Sequence, residues 1–400
     1  MPNFPTLDDI PISGRRVLVR ADLNVPMSDG EISDDTRIRG AAETIGELAK
    51  KGARVIVLSH FGRPRGKLDP DLSLEPVAPV LARALNGRPV KFCPAWRGSV
   101  AATAVAALDD GEVLLLENLR FDPGEEKNDP DFVTALAELG DLYVNDAFSA
   151  AHRAHASTEG LAHVLPAVAG RLMEREIAAL ESALGNPRHP VAAIVGGAKV
   201  STKIAVLLHL IGKVDVLIIG GAMANTFLAA DGRPVGRSLV EKDMTETARE
   251  IETRARERGC RLILPLDSVV AGKLAPGVAT RTVAIDGVGA EDMILDIGPR
   301  SVQAIRTELE RCHTLLWNGP LGAFEVPPFD AATNAIATAV AALTTTSGLV
   351  SVAGGGDTVA ALGHAEVLDR MTYVSSARGA FLEWIEGRDL PGIAALRRSG

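Results

Sequence analysis

The sequence predicts an α/β protein made of two parallel sheets in series, each flanked by helices and joined by a helix. Three observations predict it. Short β-branched or leucine-rich runs alternate with amphipathic stretches from residue 16 to about 148. The same alternation resumes at residue 191, and the stretch between the two repeats apolar residues at helical spacing. A chain of 400 residues also exceeds what one hydrophobic core organises, so two domains of roughly 150–200 residues each are expected.

In the first half RVLVR, RVIVLS, PVKF, EVLLLEN and DLYVNDA read as strands. Between the first two, Ile38, Ala41, Ala42, Ile45, Leu48 and Ala49 recur at helical spacing behind a start signal at Ser33, Asp34 and Asp35. In the joining stretch Leu172, Ile177, Ala178, Leu180 and Leu184 mark a helix ended by Gly185, Asn186 and Pro187, a candidate hinge that divides the domains near 172 and 173. VAAIVGG (191–197), VDVLIIGG, RLILPLD, MILDIG, TLLWNG and GLVSVAGGG then supply a second sheet, with VQAIRTELERC and AATNAIATAVAAL as helices between strands. The segment GAFLEWIEGRDLPGI adds a helix and a turn beyond the last strand.

A formal charge of −9 repels nucleic acid and anionic membrane at long range, so any anion site must be a local basic pocket. Cys93, Cys260 and Cys312 form no C-x-x-C pair, which fits a reducing compartment and suggests neither a disulfide framework nor a zinc knuckle. MPNFPTLDDIP has no basic stretch followed by an apolar run, and no apolar segment approaches the length of a bilayer crossing. A cytoplasmic protein is expected.

The two halves offer different chemistry. Ligands of open parallel sheets sit beyond the carboxyl ends of the strands. At those ends the first half places Arg20, Asp22 and Asn24 in RADLNVP, His60 and Arg63 in SHFGRP, Arg120 in LLLENLRF, and His152 and Arg153 in NDAFSAAHRAHAS, with Arg37 in DDTRIRG. A single exposed arginine is ordinary surface; recurrence at successive strand ends points to a crevice for a substrate bearing carboxylate and phosphate, held by rigid guanidinium forks. Asp22 and Asn24 would orient the cations or bind a hydroxyl.

The second half places glycine turns before helices. GGAKVSTK (196–203) follows an apolar run and carries Lys199 and Lys203 four apart, which would face the same side; a plain helix-capping turn is the alternative. It lacks the G-x-x-x-x-G-K-[ST] spacing. GGGDT (354–358) lets backbone approach a phosphate and puts Asp357 at a helix start, as a Mg²⁺ ligand or simply an N-cap. Blander readings cover the rest: the H-x-x-H of His152 and His155 lacks a third ligand, His209 reads as a packed helical histidine, and Trp96, Trp317 and Trp384 read as packing. An anionic small molecule in one half and a nucleotide in the other imply a two-substrate phosphotransferase.

RADLNVP, SHFGRP, LLLENLRF, NDAFSAAHRAHAS, GGAKVSTK, GGAMANTFL, DIGP, WNGPLGAFE and GGGDT, in this order, closely resemble the phosphoglycerate kinase family from about residue 13 to 393. The resemblance implies two Rossmann-like domains, an N-terminal one over 1–172 that binds phosphoglycerate and a nucleotide-binding one over 173–378, with 379–400 returning to the first. It implies transfer between 1,3-bisphosphoglycerate and ADP giving 3-phosphoglycerate and ATP, small-molecule partners only, and a monomer. Asp22, Leu23, Asn24, Arg37, His60, Phe61, Gly62, Arg63, Arg120, His152 and Arg153 would form the phosphoglycerate site. Gly197, Lys203, Gly221, Asn318, Glu325, Gly355, Gly356, Asp357 and Thr358 would hold the nucleotide, with Asp357 on Mg²⁺. Arg37 and Lys199 would stabilise the transferring phosphoryl group, and domain closure would exclude water.

One departure bears on activity. Where the family has a threonine and a run of glycines, this chain reads YVSSARGAFLE, so Ala377 and Arg378 replace glycines. Glycines at positive φ would make those replacements cost roughly 1–2 kcal/mol each; alternatively Arg378 supplies charge in the manner of an arginine finger. A slow or altered-specificity paralogue, or a non-catalytic protein binding nucleotide or phosphoglycerate, are the competing readings.

Overall fold

The computed structural model describes residues 4–28 and 30–398, with the side chains of Arg378 and Arg398 outside that description. The first sheet starts at its centre with β1 (Arg16–Arg20), after which β2 (Met27–Ser28) and β3 (Glu31–Ile32) make a short antiparallel hairpin. β4 (Arg54–Leu58), β5 (Val90–Cys93), β6 (Val113–Leu116), β7 (Leu142–Asn145) and β8 (Ala167–Ala169) complete six strands in the order β5-β6-β4-β1-β7-β8. All five pairings are parallel. The chain builds to one side of β1 and then returns to the other, so β1 and β7 frame a topological switch point, where ligands of such sheets bind. Arg20 and Asn145 are paired across it. β8 was not legible in the sequence: three small residues, Ala-Val-Ala, carry too little β-branched signal.

The helix Thr36–Lys50 follows its expected start. Thr36 N donates to Asp34 Oδ1 at 2.9 Å, and Ile38, Ala41, Ala42, Ile45, Leu48 and Ala49 are buried. That burial turns Arg37, one residue before Ile38, to the partly exposed side of the first turn.

The second unit repeats the plan with an insertion. β9 (Val191–Val195), β10 (Val216–Ile219) and β11 (Arg261–Ile263) are followed by β12 (Asp267–Ala271), β13 (Arg281–Ala284) and β14 (Met293–Ile297), then by β15 (Thr314–Asn318), β16 (Val350–Gly354) and β17 (Tyr373–Ser375). The parallel sheet runs β11-β10-β9-β15-β16-β17. The three inserted strands form a separate antiparallel sheet, β13-β12-β14. RLILPLD thus enters the main sheet through β11, whereas MILDIG does not, which corrects its reading as a member of that sheet. Pro265 lacks the N–H a ladder needs, so RLILPLD breaks into β11 and the start of β12, and MILDIG pairs back on β12.

The joining segment is a helix, Arg171–Leu180, continued by a π-turn over Glu181–Gly185. Its first turn is built into the first sheet. Leu172 N and Met173 N donate to Asp146 Oδ1 at 2.9 and 3.1 Å, and Arg171 N donates to Thr44 Oγ1 at 2.9 Å. Gly170 is required there, because a Cβ would lie 2.3 Å from Asp146 Oδ1. The Arg171 guanidinium meets Asp8, Glu47 and Glu174 at 2.7, 2.8 and 3.0 Å.

Cα packing accordingly divides the chain into one unit of residues up to Ala178 together with those from Asp389 onward, and another of Ala179–Arg388. Residues 173–178 group with the first unit because of the Asp146 and Arg171 anchors, beyond the expected division at 172. Residues 379–388 group with the second rather than returning to the first. Gly387, at φ +78, packs so closely on His209 that a Cβ would lie 2.3 Å from its Nδ1. His209 is thus a packing residue of the helix Ile204–Ile211.

Burial pushes the Asp146 carboxyl up to about 7 from its ordinary value. A carboxyl raised in the fold binds its proton more tightly there than in the unfolded chain, so its contribution is fully present below the unfolded value near 3.8 and is lost as pH rises to about 7. Asp146→Asn removes this titration. The stability advantage of the parent over the variant is expected to shrink by roughly 2 kcal/mol between about pH 5.5 and pH 8, measured by urea unfolding. A constant difference across that range would show that Asp146 is ionised throughout.

Candidate functional site: a cationic crevice and a glycine-walled cavity

In the first unit the strand ends bring together most of the expected residues. Arg20 is fully buried; its Nε donates to Ser157 Oγ at 2.8 Å, and Ser157 Oγ donates to Glu125 Oε1 at 2.6 Å. Arg20 Nη2 lies 2.9 Å from His60 Nδ1. A guanidinium only donates, so Nδ1 accepts and the ring proton belongs on Nε2. Burial, then the charges of Arg20 and Arg120, pull the His60 pKa well below its ordinary value, in keeping with a neutral ring.

Around this core, Arg37 Nη1 pairs with Asp22 Oδ2 at 2.9 Å and donates to Asn24 O at 2.8 Å. Gly62 N donates to Asn24 Oδ1 at 2.9 Å, and Arg120 Nη1 donates to Gly62 O at 3.0 Å. Leu23 N and Phe61 N are already bonded, to Ser59 Oγ at 3.0 Å and Asn118 Oδ1 at 3.2 Å, so both residues shape the crevice rather than donate into it. Arg153 is exposed, with its Nε 3.2 Å from His152 Nε2. Arg63 is exposed on the loop after Gly62 and makes no side-chain bond to these groups among the described residues.

The electrostatics leave this cluster short of negative charge. Arg120 is buried, and burial followed by the charge of Arg20 lowers its pKa to about 10. Its Nε has no hydrogen-bond partner among the described residues, with Glu126 3.4 Å away. His155, which sequence reasoning treated only as half of an H-x-x-H, is buried against the same arginines, and burial with Arg120 and Arg20 takes its pKa to about 3. Such a setting suits an anion and opposes a metal cation. Arg20, His155, Ser157 and Glu125 thus belong to the site; for His155 the available signal was its place two residues beyond Arg153 in one strand-end loop.

Among the glycines of the second unit in backbone conformations that side chains rarely adopt are Gly197 at φ +141, Gly221 at +66, Gly319 at +111 and Gly355 at +98. Gly221 and Gly319, together with Gly196, pack backbone on backbone, while Gly355 packs on the Asn318 side chain. A Cβ at Gly221 would lie 2.6 Å from Gly197 O, one at Gly319 2.2 Å from Gly196 O, and one at Gly196 1.9 Å from Pro320 O. At the end of β15, buried Asn318 donates from Nδ2 to Gly354 O at 2.8 Å and accepts from Lys203 Nζ at Oδ1, while Gly319 N donates to Thr358 Oγ1 at 2.7 Å. Lys203, Asn318, Gly355 and Thr358 therefore meet. Burial lowers the Lys203 pKa, against the charges of Asp357 and Glu386.

Lys199 does not share a face with Lys203. The helix begins only at Ile204, so the four-residue spacing carries no helical meaning; Lys199 stays exposed near Glu241, whereas Lys203 reaches inward. Gly197, Gly221, Glu325 and Asp357 line a cavity of about 390 Å³. Its other walls, including Met293, Leu295, Leu321 and Phe324, are mostly apolar, with Asn225 and Asp296 among them. That volume and lining suit a planar heterocycle. The β14 wall was missed in the sequence because MILDIG was read as a strand of the main parallel sheet.

The altered segment is unstrained. Ala377 sits at φ −93, ψ 71, and the helix Arg378–Ile385 starts immediately after it, so the expected penalty for positive φ does not arise. The reading of the Arg378 side chain as a replacement cation lies outside the described residues. Gly356 opens the helix Gly356–His364, which carries Asp357 in its exposed first turn. Among the described residues no helix is long and apolar enough to cross a membrane.

Comparison with known proteins agrees over the whole length. A family model described as phosphoglycerate kinase matches residues 7–388. The chain is 60% identical over 397 residues to a phosphoglycerate kinase of Rhizobium leguminosarum bv. trifolii, covering 99% of each, and 60% identical over 395 residues to one of Granulibacter bethesdensis, covering 99% of this chain and 100% of the relative. Among solved structures, phosphoglycerate kinase from Coxiella burnetii superposes with a TM-score of 0.92 at 42% identity, and that from Pyrococcus horikoshii with 0.80 at 30%, each over 99% of both chains. Matching sequence, fold and length, the chain belongs to the phosphoglycerate kinase family.

Proposed function

We infer that this enzyme transfers a phosphoryl group reversibly between the acyl phosphate of 1,3-bisphosphoglycerate and ADP, giving 3-phosphoglycerate and ATP in glycolysis. The observation that carries the reading is the buried, anion-deficient cluster of Arg20, His60, Arg120 and His155 at the switch point of the first sheet. Phosphoglycerate supplies the missing charge. We assign it to Asp22, Leu23, Asn24, Arg37, His60, Phe61, Gly62, Arg63, Arg120, His152 and Arg153. The nucleotide goes to Gly197, Lys203, Gly221, Asn318, Glu325, Gly355, Gly356, Asp357 and Thr358, around the cavity of the second unit.

In the ATP-consuming direction an oxygen of the phosphoglycerate carboxylate attacks the γ-phosphorus, the bond to the β–γ bridging oxygen breaks, and ADP leaves with the electron pair. The nucleophile is ionised at neutral pH, so no general base is needed. What the protein supplies is position and positive charge on the equatorial oxygens, from Arg37 and Lys199. Asp357 offers an exposed hard-oxygen donor at the cavity wall, which fits Mg²⁺. No described cluster of three His, Cys, Asp or Glu is placed to hold a metal alone, so such an ion would share its ligands with nucleotide phosphates. When bound, it would neutralise charge across those phosphates. Substrates held on separate domains call for closure, which also keeps water from competing. We place the enzyme in the cytoplasm as a monomer acting on small molecules.

The test is steady-state ADP formation from MgATP and 3-phosphoglycerate, with hydroxylamine trapping the acyl phosphate and Arg378→Gly run in parallel. Phosphoglycerate-dependent turnover of roughly 10 per second or faster is expected. Because the backbone at Ala377 is relaxed, glycine at position 378 should bring no gain. A parent protein with absent or very slow turnover, rescued by Arg378→Gly, would instead indicate a paralogue with a dismantled phosphoryl cradle.

A further inference from the structure

Asp296 lies near the end of β14 and is buried. Its Oδ2 accepts from Ala332 N at 2.9 Å, in the first turn of the helix Ala331–Thr346, and its Oδ1 accepts from Ile297 N at 2.9 Å. Against the same carboxylate stands Gly322, where a Cβ would lie 2.2 Å from Oδ1 and 2.6 Å from Phe329 O. Only a residue without a side chain fits that position.

The flanking residues are tied down too. Leu321 N donates to Thr333 Oγ1 at 3.1 Å, on the same helix, and Ala323 N donates to Leu295 O at 2.8 Å, on the same strand. Leu321 and Ala323 are thus anchored to the helix and to β14, and Gly322 between them packs directly on Asp296. Each of them lines the 390 Å³ cavity, as do Asp296 itself and Glu325, two residues further on.

We propose that Asp296 is a positioning residue for the nucleotide: it joins β14, the Pro320–Glu325 loop and the start of the helix Ala331–Thr346, and so sets the wall of the cavity and the place of Glu325. The inference rests on the nucleotide reading of that cavity. Asp296 belongs to the second unit, so its removal is expected to act on one substrate. A residue needed only for folding would lower the amount of active enzyme and leave both KM values alone.

The experiment measures kcat and both KM values, with MgADP binding by calorimetry, for the parent, Asp296→Asn and Asp296→Leu. Asn keeps one acceptor oxygen and Leu none. The KM for MgATP is expected to rise about tenfold or more in Asp296→Leu and by less in Asp296→Asn, while the KM for 3-phosphoglycerate stays within about twofold. Where Asp296→Leu shows no cooperative melt, Gly322→Ala, whose methyl would push the loop away from Asp296, carries the same expectation. Unchanged nucleotide KM and MgADP affinity in the folded variants, or equal movement of both KM values, would overturn the proposal. A parent that lacks phosphoglycerate-dependent turnover but binds MgADP would count against the phosphotransferase reading and leave calorimetry to decide the role of Asp296.

Discussion

Arg37→Ala and Lys199→Ala are each expected to lower kcat about a hundredfold or more, with smaller changes in KM, because in the proposed mechanism the charge they offset develops on the transferring group. The two should fail differently. Arg37 is held in place before any substrate arrives, paired with Asp22 and bonded to Asn24 O, and Asp22 is in turn hydrogen-bonded by Ser149. Its loss leaves a mostly buried carboxylate unpaired, so Arg37→Ala should also weaken phosphoglycerate binding, and Arg37→Lys should recover little, since one ammonium cannot meet both Asp22 and Asn24 O. Lys199 is exposed. Lys199→Ala should leave the melting temperature unchanged, and Lys199→Arg should retain part of the rate. Steady-state kinetics with both substrates varied checks each expectation, and a near-normal kcat in either alanine variant would remove that residue from the catalytic role.

Gly196→Ala and Gly319→Ala should have the largest effects on the second unit. The added methyl of the first would stand 1.9 Å from Pro320 O and that of the second 2.2 Å from Gly196 O, both backbone atoms that no rotamer change can move aside. Gly319 also sits at φ +111. Overpacking of this kind costs about 3 kcal/mol or more, and relief requires the turns after β9 and β15 to part. The expected result is a lower unfolding midpoint together with loss of MgADP binding by at least roughly tenfold, read by denaturation and calorimetry. Gly272→Ala, where nothing lies within 4 Å of the new methyl, is the control and should stay within about 0.5 kcal/mol of the parent.

Much of this site was legible because its chemistry is concentrated at strand ends. Runs such as RVLVR followed by RADLNVP place the strand, its end and the charged loop in one reading, and burial of β1 and β4 agrees with it. The legible part stops where partners come from distant segments. Glu125 and Ser157 have no local mark of function; they matter because Arg20, more than a hundred residues earlier, donates to Ser157 and so needs both. The failure at MILDIG has the same origin, since an apolar run of that length fits a parallel or an antiparallel ladder equally well, and pairing with β12 decided it. The loop around Ala377 shows the reverse: a penalty inferred from lost glycines vanished once the backbone proved to enter a helix there.

The interlocked glycine turns of the second unit also bear on how the enzyme can change over time. Where one main chain rests on another, a single codon change has no room to be tolerated, and compensation would demand simultaneous shifts in both turns. Mutational drift is thereby confined to the cavity's apolar walls, where Met293, Leu295 and Phe324 present side chains that can be exchanged for others of similar volume. With the nucleotide in that cavity as proposed, selection for a different nucleotide would find its variation there, and directed evolution libraries built on those three positions should yield many more folded clones than libraries built on the turns.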